Sequence, residues 1–234
     1  MLYVGTSGYS YPYWRNRFYP EKLPVAKQLA YYATRLNALE LNGTFYRFPR
    51  VAQLRKAALQ TADDFAFSVK AHKIITHTLR LKNAREKIEE FGAIVREGLE
   101  DKLKCILYQM PPSYVFSDER LGDVVACLKD DKRSVIEFRH SSWWQDKVFD
   151  ALKKASIVFC SVSYPGLPAD NIRTGRFFYK RMHGVPELFK SAYTIDELTT
   201  LHRQLPETDD SFVFFNNTMF EAGYENALFF GQLK

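Results

Sequence analysis

Short β-branched, apolar runs alternate with amphipathic stretches along the whole 234-residue chain, and this alternation constrains its fold more than any other feature. Strands are predicted over residues 2–6, 38–41, 65–70, 104–109, 134–139, 157–161, 177–181 and 212–216. Helices are predicted between them over 25–35, 51–60, 84–100, 118–129, 143–154, 195–204 and from about residue 223. Eight strands with seven helices imply a parallel α/β fold, and a TIM-like (β/α) barrel fits both length and count. The segment 162–176 is too rich in Pro and Gly for a sixth helix, so an irregular segment is expected in its place. A doubly wound sheet is the alternative, but no GxGxxG turn follows the first strand.

One domain over residues 1–234 is expected, because no Gly/Ser- or Pro-rich linker breaks the chain and 46% hydrophobic residues suffice for one large core. No apolar run is long enough to span a bilayer, and MLYVGTSG enters a strand without a basic or apolar leader, so the expected place is the cytoplasm. Cys105, Cys127 and Cys160 are odd in number and lack CxxC spacing, which argues for buried thiols rather than disulfides or a thiolate metal site. A formal charge of +6 suits an anionic partner but is modest for a dedicated nucleic-acid binder, so the placement of charge matters more than its sum.

Alternate strand residues face opposite sides. If Glu137 faces inward, so do Val135 and Arg139, while Ile136, Phe138 and His140 face the helices. The same parity groups Glu40 with Asn42, and Ala66 and Ser68 with Lys70 and His72. It also selects Gln109, then Tyr179, Arg181 and His183, and finally Asn216. At least six strands thus end in inward polar groups, and in a barrel those ends converge on the face that holds active sites.

Glu40 and Glu137 could divide acid and base roles if their surroundings split their pKa values, with His183 the third catalytic candidate. The plainer role is internal pairing with Arg139 or Arg181. Lys70, Arg139, Arg181, His72 and His183 form a cationic set that outnumbers the two carboxylates and so points to an anionic ligand. Lys and Arg stand where metal ligands would be needed, so no metal and no cofactor are expected. His77 and His202 read as surface or loop residues. Aromatic rings crowd the loops after several strands, and Trp14, Tyr46 and Trp143 are the candidates for stacking on a ligand.

The strings GTSGYSYPYW, ELNGTFYRFP, KAHKIITH, LYQMPPSY, IEFRHSSW, TGRFFYKRMHG and FNNT resemble, in order and spacing, the motifs of the YecE-like family, domain of unknown function 72. The resemblance spans nearly the whole chain. It implies a TIM-barrel-like fold with a pocket at the strand C-termini and no particular reaction. It carries over Glu40, Asn42, Thr44, Tyr46, Lys70, Gln109, Glu137, Arg139, Trp143, Arg181, His183 and Asn216 as family-pattern positions. Gly43 departs from a common Ser, and Ser161 and Ser163 follow a strand that often ends in Asp, which weakens any mechanism needing a third carboxylate.

The resulting expectation is a basic, aromatic-rimmed pocket for a phosphorylated ligand, nucleic acid or nucleotide first, with phosphodiester hydrolysis as the reaction it would support. An enzyme of small phosphorylated sugars with Glu137 as base, and a non-catalytic RNA- or protein-binding module, are the alternatives. Arg181 discriminates between a pocket and a salt-bridge cluster: it is paired either with a glutamate or with the ligand's anion.

Overall fold

The computed structural model describes residues 1–207 and 209–233. Its strands are β1 (Leu2–Ser7), β2 (Ala38–Leu41), β3 (Ala66–Lys70), β4 (Leu103–Gln109), β5 (Ser134–Glu137), β6 (Val158–Phe159), β7 (Ser161–Ser163), β8 (Phe178–Met182) and β9 (Ser211–Phe215). All pair in parallel, in the order β6-β5-β4-β3-β2-β1-β9-β8-β7. The two ends of this ladder are consecutive in the chain, separated only by Cys160, so the strands form a TIM-like barrel. The sixth predicted strand is thereby corrected to two: β6 pairs with β5, and β7, beyond Cys160, pairs with β8. Close approach is built in at Gly5, where a Cβ would stand 2.1 Å from the carbonyl oxygen of Ala38.

Helices α1 (Gln28–Ala33), α2 (Val51–Ala58), α3 (Arg85–Leu99), α4 (Asp118–Leu128), α5 (Asp146–Lys154), α6 (Ile195–Arg203) and α7 (Ala222–Phe230) surround the barrel. Local chemistry sets their starts. Ser117 Oγ accepts from Arg120 N at the head of α4, and Thr194 with Glu197 forms a reciprocal capping box on α6. The first predicted helix is shortened by a 3₁₀ turn at Val25–Lys27. The fifth begins at Asp146 rather than residue 143, because His140 Nδ1 accepts from Ser142 N and holds Ser141–Trp143 as a separate 3₁₀ turn.

No helix lies between β7 and β8. The irregular segment is tied down instead: Thr174 Oγ1 accepts from Phe159 N and donates to Ile157 O, and Lys180 Nζ donates to Ala169 O and Asn171 Oδ1. These bonds satisfy polar groups that a helix would otherwise have covered.

Strand parity divides the core in two. Tyr3, Ala38, Ala66, Cys105, Leu107, Val135, Val158, Cys160, Tyr179, Phe212 and Phe214 fill the barrel. Leu39, Phe67, Val69, Ile136, Phe138 and Val213 pack outward against the helices. Cys105 and Cys160 are buried, whereas Cys127 on α4 is half-buried, which corrects the expectation of three buried thiols. Among the described residues no helix is long and apolar enough to cross a membrane.

Candidate functional site

Towards the C-terminal ends of the strands the apolar filling of the barrel gives way to charge. Arg181, the last inward residue of β8, is 1% exposed. Its Nη1 donates to Glu137 Oε2 at 2.7 Å and its Nη2 to Glu40 Oε1 at 2.6 Å. Ser7 at the end of β1 donates to the same Glu40 oxygen, and Tyr179 OH donates to Glu40 Oε2 at 2.7 Å while meeting Ser68 Oγ at 2.8 Å. Glu137 Oε1 contacts Arg139 Nε and lies 3.3 Å from His183 Nε2. Asn216 Nδ2 meets His183 Nδ1 at 2.8 Å, and Arg139 Nη2 lies 3.3 Å from His183 Nε2.

These contacts fix protonation. Burial by itself would raise the Glu137 carboxyl, but Arg139, Arg181 and His183 together hold it well below the usual carboxylate range. Burial also disfavours the charged form of Arg181, and Glu137 with Glu40 overcomes this and raises its pKa. His183, desolvated and facing two guanidinium groups, is pushed down to about 3 and stays neutral. The floor of the site is therefore two carboxylates matched by two arginines, with a neutral imidazole at the edge.

Above this floor is a cleft of about 270 Å³ lined by Asn42, Phe45, Tyr46, Lys70, Gln109, Pro112, Arg139, Arg181, Phe189 and Asn216. Lys70 differs from the arginines. Among the described residues no carboxylate pairs with it, and its Nζ lies 4.2 Å from the centre of the Phe45 ring. Desolvation first, then Arg181 and more weakly Arg139, outweighs the opposing pull of Glu137 and Glu40 and lowers it to about 8. Asn42 Oδ1 and Arg181 Nε are buried without a hydrogen-bond partner among the described residues. Tyr46, 69% exposed, and Phe189, 40% exposed, form an aromatic rim.

A larger cavity, about 910 Å³, opens at the N-terminal ends of the strands. Its charges are matched at the surface, Arg96 with Asp131 at 3.0 Å and Arg85 with Asp130 at 3.2 Å. Apart from the Tyr108 hydroxyl its ionisable lining groups are exposed or half-buried, so the smaller cleft carries the stronger case for chemistry.

The sequence-selected residues thus fall into three groups. Asn42, Tyr46, Lys70, Gln109, Arg139, Arg181 and Asn216 line the cleft. Glu40, Glu137, Tyr179 and His183 lie beneath it, each 0% exposed. The others stand apart. Thr44 Oγ1 donates to Leu41 O and Lys70 O and ties the β2 loop to the end of β3. His72 packs on Phe48 and accepts from Ile74 N. Trp14 and Trp143 are 0% exposed, with their Nε1 groups donating to Phe220 O and Tyr114 O, which corrects their assignment as stacking surfaces for a ligand. Trp143 is sandwiched between Phe138 and Tyr114, with ring centres at 3.9 and 5.4 Å.

Two residues at the site escaped the sequence reading. Phe189 reaches the cleft from an irregular loop held by Phe189 N to His183 O, and nothing in its local sequence signals that turn. His77, read as a surface or loop residue, lies on a π-helical turn, Ile74–Thr78, with its ring 4.9 Å from Phe45. Desolvation first, then Lys70, Arg80 and Arg139, lowers it to about 4. A π turn re-aims side chains in a way that no 3.6-residue pattern reveals.

Nine parallel strands around this cleft have solved counterparts. Residues 3–233 match the family described as "Protein of unknown function DUF72". The chain belongs to the DUF72 family. A DUF72 family protein of Thermotoga maritima has a crystal structure that superposes with a TM-score of 0.88 at 30% identity, covering 99% of this chain and 98% of that one. One from Enterococcus faecalis V583 gives a TM-score of 0.83 at 19% identity, over 99% and 94% of the two chains, which supports the fold alone. The UPF0759 protein YecE of Escherichia coli K12 is 31% identical over 91 residues, 39% of this chain and 31% of YecE, so the aligned stretch is about a third of that relative's length.

Proposed function

We propose that this DUF72 barrel binds a phosphorylated ligand in the Lys70 cleft, with the phosphate on Lys70 and the polar edges of Asn42, Gln109 and Asn216. The unpaired cation carries this reading: both arginines are matched by glutamates, so Lys70 is the charge in the cleft that lacks a counter-ion close by. A nucleotide, or the end of a nucleic-acid strand, fits when its phosphate and sugar enter the cleft and its base rests on the exposed Tyr46 and Phe189 rings. A free sugar phosphate is the second ligand, favoured by the small volume of about 270 Å³.

The geometry supports binding more strongly than glutamate-driven hydrolysis. Glu137 is held far down in pKa by three neighbours, and a carboxylate so stabilised is a poor proton acceptor at neutral pH. Phosphodiester hydrolysis in this cleft would need another base.

Calorimetric titration with a nucleoside 5′-monophosphate, its parent nucleoside and ribose 5-phosphate tests the reading. Binding of both phosphates and not of the nucleoside is expected, with loss in Lys70→Met. Equal binding of nucleoside and nucleotide would overturn the assignment of the phosphate to Lys70.

A further inference from the structure

The cleft holds an amine where a guanidinium would serve an anion better. Arg grips two oxygens at once and keeps its charge, whereas Lys offers a single nitrogen that can lose its proton. Lys70 closes β3 at inward parity, its Nζ lies over the Phe45 ring, and no carboxylate pairs with it among the described residues. The charged and titratable groups facing it act both ways: Arg181 on β8 and Arg139 beyond the end of β5 oppose its charge, His77 on the π turn is itself pushed down to about 4 beside it, and Glu137 and Glu40 favour its charge but have oxygens already engaged by the arginines. A lysine desolvated beside other cations is the arrangement that yields a nucleophilic amine.

We propose that Lys70 condenses with the aldehyde or ketone of a small phosphorylated sugar to form an imine. This rests on the phosphate-binding reading and selects the sugar phosphate among its ligands, whose phosphate passes from Lys70 to Arg139 and the polar edges of Asn42, Gln109 and Asn216 when the amine adds to the carbonyl. The unprotonated Nζ adds to the carbonyl carbon to give a carbinolamine. Carbon–oxygen cleavage then releases the former carbonyl oxygen as water, both of whose hydrogens derive from the amine, and leaves a carbon–nitrogen double bond. No oxidant or reductant takes part. With a pKa of about 8, Lys70 offers several per cent or more of free amine at neutral pH, while an ordinary lysine offers well under one per cent. Arg139 and Arg181 line the same cleft and would favour the electron-rich oxygen of the carbinolamine.

The experiment incubates the whole chain with D-glyceraldehyde 3-phosphate and sodium borohydride, which reduces an imine to a stable secondary amine. Intact mass and peptide mapping locate the adduct, and glycerol 3-phosphate serves as the carbonyl-free competitor, with its own binding measured by calorimetry. One adduct per chain at Lys70 is expected, suppressed by glycerol 3-phosphate and absent in Lys70→Arg, a variant that keeps the charge and cannot form the imine. Its formation should rise with pH to a midpoint near 8 rather than near 10.5. Adducts spread over surface lysines with Lys70 unlabelled would overturn the proposal. If that happens while glycerol 3-phosphate binds, the phosphate-binding reading survives alone. A Lys70 adduct that glycerol 3-phosphate neither suppresses nor competes with would support the amine and remove the phosphate from the cleft.

Discussion

The floor and the mouth of the barrel use cations in opposite ways. On the floor, Arg181 is 1% exposed and both its terminal nitrogens meet carboxylates at 2.6 and 2.7 Å, so charge is neutralised inside the protein. At the mouth, Lys70 is half-buried over an aromatic ring and faces other cations, so charge is left for something else to neutralise. Removing the first should cost stability. Removing the second should add it, since a site that binds often does so at the expense of the fold.

Arg181→Met is the largest expected effect. It leaves buried Glu40 without a cation and takes one of the two arginines from Glu137, and breaking a buried pair in this way costs about 3–5 kcal/mol. At about 2–4 °C per kcal/mol for a domain of this size, calorimetry should show the melting temperature falling by roughly 6–20 °C. Of the two roles the sequence allowed Arg181, this is the outcome its internal pairing predicts. A melting temperature unchanged within 2 °C would mean that the floor is not the internally matched cluster described above.

The second effect concerns pH. His183 has a folded pKa of about 3 against an ordinary 6.5, so the unfolded chain takes up its proton below pH 6.5 while the folded chain does not until about 3. Stability should therefore fall as pH drops through that window, by about 1.4 kcal/mol per unit where the difference is a full proton. Glu137, depressed in the fold, adds a loss of the same sign at pH values below the ordinary carboxylate range. Urea unfolding of wild type and His183→Gln between pH 7 and 5 should separate them, with a shallower decline in the variant. Parallel declines would show that His183 is charged in the folded barrel.

Lys70→Met should work in the other direction. The folded pKa of about 8 lies below the ordinary 10.5, so the unfolded chain holds the proton more tightly. The resulting penalty is fully present below pH 8 and is relieved as pH rises towards 10.5. After discounting for the partial exposure of Lys70, the variant should gain about 1–2 kcal/mol at pH 7 and lose that advantage by pH 10.5. A destabilised Lys70→Met would place this lysine with the floor.

The smallest effect on stability belongs to Tyr46→Ala, expected within about 0.5 kcal/mol of wild type because the ring is an exposed surface residue. Its binding effect should be larger: loss of a stacked base costs about 1–3 kcal/mol in nucleotide affinity. Equal affinity for a nucleotide in both proteins would leave the base outside the rim.

Much of this contrast was written into the sequence. The parity rule needs only strand centres, and it gathered Glu40, Lys70, Gln109, Glu137, Arg181 and Asn216 around one axis because the side-chain period of two survives errors of strand length. Pairing was not legible, since whether Arg181 meets Glu40, Glu137 or a ligand depends on which strands are neighbours across the barrel. The aromatic residues misled for a related reason. Trp14 and Trp143 follow strands in sequence, as Tyr46 does, but only packing decides which ring turns under the helices and which stays in solvent. The break at Cys160 and the π turn carrying His77 are local backbone irregularities, invisible to any regular period.

The central claim is that Lys70 is a cation of the cleft with no carboxylate partner among the described residues. Heteronuclear NMR titration of the Lys70 side chain, assigned by comparison with Lys70→Arg, tests it without assuming a reaction. The predicted result is a midpoint near 8 in the free protein that moves upward when inorganic phosphate is added, because a bound anion favours the charged amine. A midpoint near 10.5 that phosphate does not move would contradict it.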